Sequence, residues 1–529
     1  MSLEVPLSPP ARFGRSLLWG VYGLIGAATL LLAWLPLESI IHRFLFEDFF
    51  YYLQVARNVV EGRGASLDGV APTNGFHPLW MLLCIAAEAL TGSLAAIRVM
   101  LTLAVLMHFA QAWLLFRIVS SMAGARAGHL TALFWLASYR VIACNLCGLE
   151  TPLAVLMLLA TVRHLQRPHP PGDRRWALQL GALLGLAALA RLDLLMLAVM
   201  IPPALVVLDP SAARAARLSD AALAGAVALL VLLPWFAWSY HQSGTLLPNS
   251  GAALDVWSWK HVQLRNSLAD NLAILRFRVF DGSYWFADTA NLLGLWPIVR
   301  PSNGKIGLVT FAELLLASFA VLYSTRRDAG ARLRWVLAGF AWALLTYYAL
   351  FASLRVRYLM PFCAVSVIVL VASGALWVAR RPAARKLALV VYLVLFVSSG
   401  VASVQAWQQR QGAAHTHSGH LALLNMARWI SQNAPEDAVL AGWNSGIMSY
   451  FSGRQVVNLD GVINDQVIPY LRDHDLRAYI ERRHIEYLVD GDGQVDSFMS
   501  EFSGEADWKS QYTLVKDLET IQLWRRNAR

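Results

Sequence analysis

Two adjacent acids, Glu47 and Asp48, open a run that continues through Tyr51, Tyr52, Gln54, Arg57 and Asn58. On a helix over 47–60, Glu47, Tyr51, Gln54 and Asn58 share one narrow face, with Asp48 on its flank. Phe49, Phe50, Leu53, Ala56 and Val60 make the opposite, apolar face. The pattern predicts an amphipathic helix lying at a membrane surface. Carboxylates held close to lipid are costly and call for a reason. One reading makes them a general base for an acceptor hydroxyl; the other leaves them as solvated acids in a loop.

Further residues could join such chemistry. Arg355, Arg357 and Tyr358 lie between two apolar blocks. Arginine meets phosphate oxygens through parallel hydrogen bonds, which suits an anionic ligand, while snorkelling to an interface is the plainer alternative. Asn74 and His77 stand in a Gly- and Pro-rich stretch, at the mouth of the next apolar run. Turn formation and helix capping explain that stretch equally well. Glu150 marks another helix entrance. Arg191 and Asp193 interrupt an apolar stretch, where a structural ion pair and a functional site are both open. Asn444, in Trp443-Asn444-Ser445-Gly446, and Asp460, in Asn458-Leu459-Asp460-Gly461, each follow a short apolar run that reads as a strand. Loops at strand ends hold ligands, or simply turn.

Several chemistries are disfavoured. Cys144 and Cys147 form a lone CxxC without a second pair, and with Cys84 and Cys363 they lie in or beside apolar helices, where packing accounts for them. His415, His417 and His420 make only a loose group. No metal site is expected. There is no P-loop, no GxGxxG after a strand, no HExxH and no GxSxG.

The elements that must position these residues are mostly apolar. The 529 residues are 57% hydrophobic and 15% charged, which excludes an ordinary soluble globule. The blocks at 17–35, 221–238, 308–322 and 387–404 are each about as long as a bilayer core is thick. A backbone in hydrocarbon must satisfy its own hydrogen bonds, so they read as helices. The first is too long for a signal core and is followed by no small-residue cleavage site, so it reads as a retained helix. The net charge of +10 arises from basic residues in short loops: Arg12 and Arg15, 167–175, Arg214 and Arg217, 326–334 and 380–386. That distribution puts those loops and the N-terminus in the cytoplasm; the charge reports orientation and not a nucleic-acid partner.

Two long outer segments follow, at about 37–77 and 241–306, the second rich in Trp and Arg. The stretch 78–145 holds three candidate crossings where the flanking loops demand an even number. Residues 176–208 read as two helices meeting at Arg191 and Asp193. Beyond about 408 the long apolar blocks stop. Helical periodicity at 421–433 and 476–484 alternates with short strand-like runs at 438–443, 455–459 and 485–489. This predicts a small extracytoplasmic α/β domain over 408–529, after a helical membrane portion over 1–407. A lipid flippase or transporter would explain the helices, but the chain shows no internal repeat. A non-catalytic membrane scaffold is the other alternative.

Taken together, the motifs resemble the first outer loop of GT-C superfamily glycosyltransferases. They are Glu47-Asp48, Tyr52, Arg57-Asn58, Glu61-Gly62-x-Gly64 and Thr73-Asn74-x-x-His77-Pro78-Leu79-Trp80. The closest likeness is to the branch of polyprenyl-phosphate arabinofuranosyltransferases and related bacterial membrane enzymes. Further matches follow in order at Gly148-Leu149-Glu150-Thr151, Ala190-Arg191-Leu192-Asp193, Gly244-x-x-Leu247-Pro248-Asn249, Arg357-Tyr358-x-x-Pro361 and Asn458-Leu459-Asp460-Gly461. The resemblance implies a polytopic α-helical protein of the bacterial cytoplasmic membrane, with about 11–13 transmembrane helices. It implies an inverting transferase that takes a sugar, arabinofuranose or mannose first, from a polyprenyl-phosphate donor. The acceptor would be a glycan, a lipid or a surface protein. No cofactor is required. Where the family has two Asp, this chain has Glu47 and Asp48, which favours Asp48 as the base. Arg357 matches the arginine that faces the donor phosphate, with Arg355, Tyr358, Tyr52, Arg57, Asn74 and His77 as donor-site candidates. Glu150, Arg191, Asp193, Asn444 and Asp460 are possible additions.

Overall fold

A computed structural model of the chain describes residues 12–207, 214–258, 319, 321–328, 330–351, 356–381, 383–408, 418–504 and 507–527. Arg355, His415, His417 and most of the expected second outer loop and of the 308–325 crossing lie outside them. The N-terminal portion is helical. In chain order it comprises α1 (Arg12–Ala33), α2 (Leu37–Arg43), α3 (Glu47–Val60), α4 (Pro78–Thr91), α5 (Ser93–Ala123), α6 (Ala125–Ala137), α7 (Tyr139–Asn145) and α8 (Thr151–Leu165). Then come α9 (Arg174–Ala190), α10 (Leu195–Val207), α11 (Arg214–Ser243), α12 (Ser250–Ser258), α13 (Ala331–Phe351), α14 (Met360–Ala379) and α15 (Ala384–Gln408).

Among the described residues, three helical spans are long and apolar enough to cross a membrane: Ser93–Ala123, Arg214–Ser243 and Arg357–Ala379. The pair Leu18–Ala33 and Leu37–Arg43, bent by 103°, makes a fourth if it is one span. In the 78–145 stretch, where parity was unsettled, one long helix, α5, is flanked by the shorter α4, α6 and α7. The expected pair at 176–208 is present as α9 and α10, joined by a short turn at Leu192–Leu194. Many large apolar side chains point outward, among them Leu24, Leu31, Leu230, Leu387 and Val397. A monomeric protein in water rarely exposes so much contiguous apolar surface.

Close helix contact sets the position of the residues at the end of α9. Gly181 and Gly185 lie on the face of α9 that meets α11. A Cβ on Gly181 would fall 2.4 Å from the Ala224 carbonyl, and one on Gly185 2.7 Å from Val231 Cβ. Small residues four apart let two backbones approach, as in many membrane helix pairs. Arg191 follows directly as the C-cap of α9.

The C-terminal portion contains α16 (Ser418–Asn433), β1 (Val439–Gly442), α17 (Gly446–Ser452), β2 (Gln455–Asn458), α18 (Ile468–Arg472), α19 (Leu476–Arg482), β3 (Tyr487–Gly491), α20 (Asp492–Phe502), β4 (Tyr512–Leu518) and β5 (Ile521–Arg526). The sheet order is β2-β1-β3-β5-β4. β1 pairs in parallel with β2 and β3, and β5 runs antiparallel between β3 and β4. The expected helices and parallel strands are there; the closing β4–β5 hairpin was not anticipated. Side-chain alternation gives the sheet two buried faces. Leu440, Val456, Tyr487 and Val489 join the core that continues into the helical portion, whereas Ala441, Val457 and Leu488 pack in a second core with Trp443, Tyr479 and Phe502. The carboxyl ends of β1, β2 and β3 share one edge, and the segments that follow β1 and β2 there meet α3.

Replacing Gly185 by Leu should force α9 and α11 apart and cost about 1–3 kcal/mol. Thermal unfolding of the detergent-purified protein checks this: a lowered midpoint is expected, and an unchanged midpoint would contradict the close contact.

Candidate active site

The first turn of α3 sends its two acids in different directions. The Phe46 N–H, at the N-cap, donates to the Cys147 carbonyl at 3.1 Å and fixes where the helix starts. Successive residues on a helix differ by about 100°. Glu47 therefore faces the C-terminal domain and is buried, while Asp48 points toward Arg357 and keeps 36% of its side chain exposed. Glu47 Oε1 accepts from the N–H groups of Gly446 and of Ile447, the latter at 3.2 Å. It thereby caps α17, the helix that docks on α3. Burial first, and then the charge of Asp48, push the Glu47 carboxyl well above its ordinary range.

Asp48 Oδ2 accepts from Arg357 Nη2 at 2.7 Å. Arg357 is buried, in the short turn Val356–Leu359 that leads into α14. That turn is held from behind. Arg191 donates through Nη1 to the Arg357 carbonyl at 3.2 Å and through Nη2 to the Tyr358 carbonyl at 3.0 Å. Asp193 orients Arg191, accepting from Nε at 2.9 Å and from Nη2. Tyr348 donates to the same carboxylate at 2.5 Å, and its ring stacks on Tyr358 with centroids 5.3 Å apart. Arg191 and Asp193 are thus a structural pair that supports Arg357 rather than a second open site.

The guanidinium of Arg357 lies over the Phe46 ring, 4.6 Å from its centroid, and 5.0 Å from that of Tyr358. Nη2 also donates to the Tyr358 hydroxyl at 3.3 Å. Nε and Nη1 are buried and have no hydrogen-bond partner among the described residues. A buried cationic donor without an acceptor is costly, so these two nitrogens are prepared for an anion.

His77 lies near enough to Arg357, Arg191 and Glu150 to feel their charges. Its backbone N–H donates to the Tyr52 hydroxyl at 3.0 Å, its Nε2 lies 3.8 Å from Glu150 Oε1, and its Nδ1 is buried without a partner among the described residues. Burial pushes the imidazole down from its ordinary value, against the pull of Glu150. His77 is therefore neutral near pH 7 and can give one N–H to a ligand.

The other expected site residues go elsewhere. Arg57 donates to the Tyr450 carbonyl at 3.1 Å and the Ser93 hydroxyl at 3.0 Å, and packs over the Tyr450 ring. Asn74 is buried, bonding Ser239 Oγ at 2.8 Å and the Asn249 N–H at 3.0 Å, which ties the first outer loop to 244–249. Asn444 bonds Asp490 and Gln494 within the C-terminal domain. Asp460 does approach α3: its carboxyl is pushed up to about 7, by burial above all, with the charge of Asp48 adding to it.

The amphipathic surface helix needs correction. α3 is buried on both faces, Phe49, Phe50 and Leu53 on one and Glu47, Tyr51 and Asn58 on the other. Its polar face is covered by the C-terminal domain, through Glu47 and through the Tyr51 hydroxyl donating to the Trp443 carbonyl at 2.9 Å. The sequence reading also missed Tyr348 and Phe46. A signal for Tyr348 exists: Tyr347 and Tyr348 are hydroxyl-bearing residues in an otherwise apolar helix end, just before Arg357. Among the described residues no group of His, Cys, Asp and Glu is arranged to hold a metal ion.

Because the Glu47 carboxyl is pushed up, its neutral amide isostere should serve nearly as well. Glu47→Gln is expected to keep the domain docked, whereas Glu47→Ala leaves two buried N–H groups unpaired and costs about 1–3 kcal/mol. Limited proteolysis between the helical and C-terminal portions checks this, with faster cleavage in the Ala variant only.

Comparisons with known proteins agree with this architecture. Residues 405–528 match a family model described as a domain of unknown function (DUF8728). No curated protein matches the chain. Among solved structures, ArnT from Cupriavidus metallidurans, bound to undecaprenyl phosphate, is similar with a TM-score of 0.60 and 16% identity, over 96% of this chain and 98% of that one. The oligosaccharyltransferase AglB from Archaeoglobus fulgidus, in complex with an inhibitory peptide and a dolichol-phosphate, is similar with a TM-score of 0.59 and 13% identity, over 95% of this chain and 73% of that one. At these identities the likeness is one of fold: this chain shares the fold of ArnT and AglB, in line with the fold expected from its resemblance to GT-C glycosyltransferases.

Proposed function

We propose that the chain is an integral membrane glycosyltransferase that moves a sugar from a polyprenyl-phosphate donor to an acceptor hydroxyl on the outer face of the cytoplasmic membrane. The observation that carries the proposal is the buried Arg357, two of whose donor nitrogens have no hydrogen-bond partner among the described residues, beside the carboxylate of Asp48. Two features support the lipid-linked donor. The outward apolar helix faces suit a bilayer, and the solved structures of like fold hold undecaprenyl phosphate or dolichol-phosphate. The basic loops place the N-terminus inside and the C-terminal domain outside, away from cytoplasmic nucleotide sugars.

The donor phosphate would lie against Arg357 Nε and Nη1, with neutral His77 contributing one N–H. An acceptor hydroxyl would sit beside Asp48. Asp48 takes the hydroxyl proton as the acceptor oxygen attacks the anomeric carbon from the face opposite the phosphate. A new carbon–oxygen bond forms, the bond to the phosphate oxygen breaks, and its electron pair leaves with polyprenyl phosphate. Configuration at the anomeric carbon is inverted. Arg357 stabilises the charge that grows on the departing phosphate, a type of contact worth about 3–4 kcal/mol. The reaction takes no cofactor. Arabinofuranose and mannose are the first sugars to test, with glycan, lipid and surface-protein acceptors.

The purified protein should release polyprenyl phosphate from one member of a panel of labelled polyprenyl-phosphate sugars in the presence of crude cell-envelope acceptor. Asp48→Asn should lower that rate by about 10²–10⁴-fold, and Arg357→Ala by about 10²–10³-fold. Release undiminished in Asp48→Asn would remove Asp48 as the base. No release from any donor would favour a transporter or a scaffold.

A further inference from the structure

The loop after β2 is built to bring one carboxylate from the C-terminal domain to the acid end of α3. Asn458 Nδ2 donates to the Tyr51 hydroxyl at 3.4 Å and to Ser445 Oγ at 3.0 Å. Tyr51 lies about one helical turn from Glu47 and Asp48. Asn458 Oδ1 accepts from the Gly461 N–H at 3.0 Å, and Asn464 Nδ2 ties the Asn458 carbonyl at 2.7 Å and the Tyr479 hydroxyl at 2.8 Å. On its far side the Val462 carbonyl presses on the first outer loop: a Cβ on Gly75 would lie 2.2 Å from it. The loop is thus pinned between α3 and the Asn74-Gly75 segment, with Asp460 at its turn. Asp460 Oδ1 accepts from the Val462 N–H at 2.8 Å. The charged and titratable groups that bear on it are Asp48, Glu47 and Tyr51 of α3 and Asp490 at the end of β3.

The reaction written above leaves this carboxyl without a task. Its chemistry narrows the choice. A carboxylate repels a phosphate, so it does not belong to the donor side, which Arg357 defines. It bonds well to a hydroxyl, as a charge-assisted acceptor. Glu47 is buried and turned toward α17, whose first N–H groups its Oε1 caps.

We propose that Asp460 is the acceptor-side carboxylate of the site, hydrogen-bonding a hydroxyl of a polyhydroxylated glycan acceptor beside Asp48, so that the docked C-terminal domain completes the acceptor site. This rests on the glycosyltransferase reading. It explains why α3 is clamped by the domain: the clamp sets the spacing between Asp48 and Asp460. The carboxyl ionises at about 7. Below that it is neutral and a weaker acceptor, so the acceptor KM should fall as pH rises through that value.

The test uses the full chain, with undecaprenyl phosphate as the binding probe of the donor site and, for turnover, the labelled polyprenyl-phosphate sugar that the wild type uses together with crude envelope glycan as acceptor. Asp460→Ala should bind undecaprenyl phosphate within about twofold of wild type, while kcat/KM for the acceptor falls by about tenfold or more, the loss expected for a charged hydrogen bond. Asp460→Asn, which keeps the shape, should lose the pH dependence of acceptor KM near neutrality. Unchanged acceptor kinetics in both variants would overturn the inference while leaving the transferase reading intact. Loss of undecaprenyl phosphate binding in both would overturn it too, by showing that Asp460 shapes the donor side. A wild type inert with every donor overturns both readings, and is told apart because the failure precedes any variant.

Discussion

A guanidinium buried at the end of a long apolar helix is an unstable object unless its surroundings fix it. Removing such a charge from water costs several kcal/mol, and one partner offsets only part of that. Arg357 has one carboxylate, Asp48, at 2.7 Å, and two aromatic rings, Phe46 and Tyr358, against its plane. Much of the neighbouring structure serves to keep it there. Arg191 grips two carbonyls of the turn that carries it, Asp193 orients Arg191, and Tyr348 completes the set. The Gly181–Gly185 face of α9 seats the helix whose end carries Arg191. Nε and Nη1, which have no hydrogen-bond partner among the described residues, are what an anion would use.

The C-terminal domain is the second constraint. It does not hang from the helices as a separate bead; one face of its sheet shares their core. Its polar contacts with the first outer loop are numerous and mostly buried: Glu47 to α17, Tyr51 to Trp443, Arg57 to Tyr450, and Arg483 to Asp68 at 2.5 Å. Buried polar contacts contribute little net stability, but they are expensive to leave half made. Their combined effect is therefore geometric, setting how the strand-end loops sit against α3 and the first outer loop.

What could be read from the sequence follows from the range of the interactions involved. The apolar helices at 17–35, 221–238 and 387–404, the break at Arg191 and Asp193, and the first strands and helices after residue 418 are local patterns, and among the described residues each appears where periodicity put it. Residue type and placement made Glu47, Asp48, Arg355 and Arg357 candidates, and the family resemblance singled out Asp48 and Arg357, which lie 309 residues apart in sequence and meet in space. Glu47 was harder. On a helical wheel it belongs with the polar residues of an exposed face, and only the domain 400 residues away makes that face an interface. The same blindness applied to Arg57 and Asn74, whose polar groups serve long-range ties. The β4–β5 hairpin was missed because Tyr512–Leu518 is largely exposed, so its alternation of burial is weak.

The central claim is that Arg357 receives a lipid-linked phosphate beside Asp48. The most direct measurement is an experimental structure of the full chain with undecaprenyl phosphate bound. The account predicts phosphate oxygens within hydrogen-bond distance of Arg357 Nε and Nη1, with the prenyl tail between helices and the Arg191–Asp193 support unchanged. A phosphate bound away from Arg357, with both nitrogens still unpaired, would contradict it.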